Sequence, residues 1–127
     1  MDIDKIIKAY LNTAVWVHTD GDMEHLPEGF TVEDFTTEAV NLARRDIVLF
    51  VEHAGELLDG LDPHMVGYNF WLTRNHEGAG FWCECDIPDK ETRNTLTKLS
   101  HDFPEVHVIS TGSALLLLEP NWMTGDM

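Results

Sequence analysis

The chain has 127 residues, 43% of them hydrophobic with four Trp and six Phe, which fits one domain with one real core and excludes a disordered chain. Eight basic residues stand against 23 acidic ones, a formal net charge of −15. That balance argues against direct binding to nucleic acid, which rests on Lys and Arg at phosphates, and favours a partner protein with a basic surface.

No apolar run approaches the roughly 20 residues that span a bilayer, so no membrane insertion is expected. The first residues, MDIDKIIKAYLNTAVW, carry Asp2 and Asp4 where a secretory signal carries positive charge, and a cytoplasmic location is expected. Cys83 and Cys85 are the two cysteines. On a strand their side chains would point in parallel and would not readily pair, in keeping with a reducing compartment.

Residues 3–15 place Ile3, Ile6, Ile7, Tyr10, Leu11 and Ala14 at helical spacing and predict an amphipathic helix. Residues 18–30 hold turn formers and no basic residue, an exposed acidic loop. From 20 to 38 there are seven acidic residues, Asp20, Asp22, Glu24, Glu28, Glu33, Asp34 and Glu38, and no Lys or Arg. The run Asp20-Gly-Asp-Met-Glu has the opening of a calcium loop, but Thr31 stands at its twelfth position where a bidentate Glu is needed, so no calcium site is expected.

Thr31 with Asp34, and Thr36 or Thr37 ahead of Glu38, are helix-start signals. A long helix follows with the stripe Ala39, Leu42, Ala43, Ile47, Phe50, Ala54, Leu57 and Leu58; Gly55 weakens its last turns, and Gly60 with Pro63 ends it.

Tyr68, Phe70 and Leu72 alternate with Asn69, Trp71 and Thr73, and Phe81, Cys83 and Cys85 alternate with Trp82, Glu84 and Asp86. With Gly78 and Gly80 about a turn, this predicts a β-hairpin. One register places Tyr68, Phe70, Leu72, Phe81 and both cysteines in the core, Trp71 beside Trp82 on the other face, and Arg74, Asn75, His76 and Glu77 at the tip. Thr92, Leu96, Leu99 and Phe103 predict a short helix closed by Pro104, and strands over 106–110 and 114–119 predict a second hairpin. The tail, 120–127, is expected to fray. The sum is a single α+β domain over 1–127: a four-stranded, mainly antiparallel sheet of two hairpins with about three helices packed on it.

Buried cysteines fit no zinc pattern, and Glu84 and Asp86 disfavour a thiolate, so neither a metal nor a Cys/His enzyme is expected. No Gly-x-Ser-x-Gly elbow, phosphate loop or His-Glu-x-x-His pair is present, and no cofactor is expected. The candidate binding residues are the seven acidic residues named above, the pair Trp71 and Trp82, and the tip Arg74, Asn75, His76 and Glu77.

The string VGYNFWLTRNHEGAGFW, residues 66–82, resembles a motif of a family of small uncharacterised proteins encoded by bacteriophages and mobile elements. AYLNTAVW at 9–16 and FTVEDFTTEAV at 30–40 resemble its upstream segments, so the likeness covers most of residues 9–86. It departs after Trp82, where Cys83 stands in place of an acidic residue. The resemblance implies a phage accessory protein in a bacterial cytoplasm, a context rich in inhibitors of host enzymes and defences. The expected function is therefore binding, and inhibition, of a host nucleic-acid-processing or defence protein through a DNA-like row of carboxylates, residues 20–38 continued by Asp46, Glu52, Glu56 and Asp59. The alternatives are a small hydrolase or nucleotide-acting enzyme at the Arg74 to Glu77 tip, and a structural component of the phage.

Overall fold

The computed structural model describes residues 1–19, 30–77, 80–83, 87–110 and 114–118. Four helices, α1 (Ile3–Thr19), α2 (Thr37–Ala54), α3 (Pro63–Arg74) and α4 (Lys90–His101), are followed by the short strands β1 (His107–Ser110) and β2 (Leu115–Leu118). The strands pair antiparallel, Val108 opposite Leu117, and Phe35 makes an isolated bridge to Leu115. The fold is thus mostly helical, and the expected four-stranded α+β sheet is corrected: residues 63–74 form a helix and 80–82 a 3-10 turn.

α1 and α2 follow their amphipathic stripes. Ile6, Tyr10 and Ala14 of α1 and Ala39, Ala43, Ile47 and Phe50 of α2 are buried, with Leu42 and Leu57 partly so. Thr36 caps α2 by accepting from the Ala39 N–H at 3.1 Å, and Thr31 with Asp34 forms a capping box on the 3-10 turn over Val32–Asp34. Gly55, with φ +52°, ends α2 at Ala54.

The physical reason for the correction lies in α3. Val66, Gly67, Asn69, Phe70, Trp71, Leu72, Thr73 and Arg74 are all buried. From Asn69 to Arg74 every residue of the helix is buried, and where a helix is enclosed all round its 3.6-residue stripe is lost and its apolar residues can alternate by chance as a strand's do. Asp62-Pro63 carries the true start signal, a side-chain cap accepting from the His64 N–H at 3.0 Å with proline in the first turn.

Parity is corrected with it. Tyr68 is exposed and Asn69 is buried, the reverse of the hairpin reading, while Trp71 is fully enclosed and Trp82 is 61% exposed, so the two do not share a face. Cys83 is half-buried and disulfide-bonded. Cys85, the sole other cysteine of the sequence, lies outside the described residues. With no strand among the described residues of this stretch the argument from parallel side chains lapses, and so does its support for a reducing compartment.

The helices meet in an aromatic core. Phe50 stacks on Phe70 with ring centroids 4.3 Å apart, Tyr10 meets the Trp71 edge at 5.1 Å, and Phe103 meets Phe70 edge-on at 5.2 Å. Among the described residues no helix is long and apolar enough to cross a membrane.

Candidate binding site

The C-terminal end of α3 positions the candidate residues, and it divides them. Arg74 is only 1% exposed. Its guanidinium donates to Asp46 Oδ2 at 2.7 Å, to the Tyr10 hydroxyl at 3.0 Å and to the Pro104 carbonyl at 2.7 Å, and it lies 5.3 Å from the Phe103 ring centre. Asp46 also accepts from Arg45 at 2.9 Å. The expected tip cation is therefore a core residue, and Asp46 leaves the expected row of surface carboxylates.

Beyond Arg74 the helix closes in a Schellman motif. The Glu77 N–H donates to Leu72 O at 2.8 Å and the His76 N–H to Thr73 O at 3.2 Å, with His76 in the left-handed position that glycine usually fills, φ +57°. Holding a β-carbon there costs on the order of 1 kcal/mol. Asn75 ties this turn to the segment that leads into β1: its side-chain carbonyl accepts from the Val106 N–H at 2.8 Å and its amide donates to Trp71 O at 3.0 Å.

The imidazole of His76 stacks on that of His101 from α4, centroids 4.5 Å apart, and its Nε2 is 3.9 Å from Glu105. Leu72, Thr73, His76, Trp82 and His101 line a cavity of about 200 Å³. The far wall is rigid for local reasons. Phe81 is buried, its N–H donates to Thr73 Oγ1 at 2.9 Å, and Gly80 has φ +58° with Thr73 Oγ1 2.2 Å from where a β-carbon would stand. A side chain at position 80 would push the turn off α3; its absence lets the turn hold Trp82 at the mouth of the cavity.

Glu77, next in sequence to His76, is half-buried. Burial pushes its carboxyl above the ordinary value, a hydrogen bond from the Trp71 side chain draws it back, and the charge of Glu105 adds to the rise. With the folded-state pKa raised, ionisation of Glu77 opposes folding. The penalty is full above the raised value, fades as pH falls through it, and vanishes below the unfolded value. Glu77→Gln keeps an oxygen for the Trp71 N–H and removes the charge. It is expected to raise the melting temperature near about pH 7 and to leave it unchanged near about pH 3, read by circular dichroism across pH.

Of the other expected residues, Glu33 and Glu38 are exposed and Asp34 is half-buried, closing the Thr31 box by accepting from the Thr31 N–H at 2.8 Å. Asp20, Asp22, Glu24 and Glu28 lie outside the described residues. His101, Glu105 and Thr73 were not legible as site residues, because α4, the segment after it and the buried side of α3 meet His76 only in the fold. Among the described residues no group of three or more His, Cys, Asp and Glu is placed to hold a metal ion. Compared with protein-family models, with curated proteins and with solved structures, the chain matches none.

Proposed function

We propose that the chain is a non-enzymatic accessory protein of a bacteriophage that binds a host nucleic-acid-processing or defence protein through that partner's basic surface, and inhibits it. The observation that carries this reading is where the fold puts its cations. Of eight Lys and Arg, Arg74 and Arg93 are buried, Arg93 donating to the carbonyls of Ile87 and Pro88 at 2.8 Å, while Asp46 is the one buried acid among the described residues. Among the described residues folding therefore removes more positive than negative charge from an already acidic surface, and an electronegative surface steers basic partners.

The detailed form of the carboxylate row changes. Glu38, Arg45 and Glu52 recur at seven-residue intervals on α2 and all three are exposed, so a cation interrupts the acids of that face. Glu38 and Glu52 are about 21 Å apart along the axis, against one charge per about 1.7 Å in duplex DNA. The reading is accordingly of a diffuse acidic surface competing for a basic one, without a strand-like copy of phosphates along α2. The hydrolase reading loses its cation with Arg74, and a cavity of about 200 Å³ is smaller than the roughly 300–1,000 Å³ of small-molecule sites.

The test is affinity capture from bacterial lysate at low and high salt, followed by competition with duplex DNA on the purified pair. The expected result is a nucleic-acid-binding partner that salt and DNA both displace. A partner indifferent to both, or no partner, overturns the reading.

A further inference from the structure

Resting on that reading, we infer that the cavity between His76, His101 and Trp82 is the pocket that takes an arginine side chain of the basic partner. Three independent features converge on this chemistry. The volume, about 200 Å³, suits a single side chain better than a metabolite. Trp82 is 61% exposed at its mouth, on a turn already fixed by Phe81 and Gly80, so an aromatic face is presented with little ordering left to do on binding. Trp is enriched among the residues that anchor interfaces, and its face attracts a guanidinium.

Charge supplies the third feature. Glu105, half exposed, lies 3.9 Å from Nε2 of the lining residue His76, and the Glu77 carboxyl lies close enough to interact with it. Arg74, the cation nearest in sequence, is neutralised in the core by Asp46. On α4, Lys98 and Asp102 flank His101 with opposite charges. A guanidinium in the pocket thus finds a carboxylate, Glu105, beside its His76 wall. His76 adds a signature of its own, since the fold bears the left-handed φ of +57° where glycine would be easier, and what it gains is an imidazole wall to the pocket.

The probe is blocked arginine, N-acetyl-arginine amide, titrated into the intact protein and followed by the Trp82 indole and His76 ring signals in NMR. Blocked citrulline serves as the uncharged isostere. Saturable shifts at those two residues are expected with arginine, at concentrations on the order of millimolar, and not with citrulline. Equal responses to both, or none to arginine, overturn the pocket. So do the same shifts on raising protein concentration alone, which would assign it to a second copy of the chain.

With the captured partner, Trp82→Ala is expected to weaken binding about thirtyfold. Glu105→Gln is expected to weaken it and to reduce its salt dependence. His76→Gly is expected to weaken it while raising the melting temperature, a combination that a merely structural role would not produce. Because Trp82 and His76 are exposed, neither change threatens the core. Unchanged partner binding in all three variants overturns the pocket and leaves the proposed function standing, whereas failure to capture a partner bears on the function alone.

Discussion

Asp46→Ala is expected to destabilise the protein by about 3–5 kcal/mol, because it takes away a carboxylate that lies 2.7 Å from a guanidinium in the core. Arg74 is 1% exposed, and arginine cannot shed its proton to escape the cost. Two of its other partners, the Tyr10 hydroxyl and the Pro104 carbonyl, are neutral: they satisfy hydrogen bonds without supplying a countercharge. A single domain of this size holds about 5–15 kcal/mol in total, so the loss should show as a large fall in the urea midpoint. Arg45 contacts the same carboxylate from a half-exposed position, and Arg45→Gln is expected to cost less than about 1 kcal/mol. The double variant Asp46→Leu with Arg74→Met is expected to recover much of the loss, since removing both charges is far cheaper than removing one. Recovery should stop short of completion because the Pro104 carbonyl loses its donor. A midpoint for Asp46→Ala no lower than that of Arg45→Gln would show that this pair does not hold the helices together.

That ion pair also marks the limit of what the amino-acid order conveys. α1, α2 and α4 each keep one face toward solvent, so their stripes are legible, and Thr36 ahead of α2 caps it as its residue type suggests. α3 is enclosed from Asn69 to Arg74, and its alternation of Tyr68, Phe70 and Leu72 suits two periods equally well. The local signals at its ends were present but ambiguous. Pro63 can end one helix or begin the next, and His76 conceals a Schellman turn that a glycine would have announced.

The candidate site was half legible for the same reason. His76, Glu77 and Trp82 stand in one chemically varied stretch. Arg74 stands there too, yet its place is decided by Asp46 and Tyr10, which are remote in sequence. His101 and Glu105 come from α4 and the segment beyond it, and nothing in their own neighbourhoods distinguishes them from solvated surface residues.

Gly67→Ala is expected to be the other severe substitution, although in most helices the same change is favourable. A β-carbon at position 67 would stand 2.4 Å from the Ile6 carbonyl oxygen, 2.9 Å from the Ala9 β-carbon and 2.9 Å from the Tyr10 nitrogen. Two of these are backbone atoms of α1, so no rotamer can relieve them and the helices themselves must part. Such overpacking costs about 1–3 kcal/mol and sometimes more, against about 1 kcal/mol gained from helix propensity. Contact with backbone places this site at the upper end, and a net loss of about 2 kcal/mol is expected in urea unfolding. The displacement should also reach the site. Tyr10 meets both Gly67 and, at 3.0 Å, the Arg74 guanidinium, so moving α1 away from α3 loosens the helix end that carries Thr73 and His76. The variant is therefore expected to bind blocked arginine more weakly than the unaltered protein even where it remains folded. A Gly67→Ala protein that is more stable, with arginine binding intact, would show that α1 and α3 do not approach this closely and that the Tyr10 contact does not position the site.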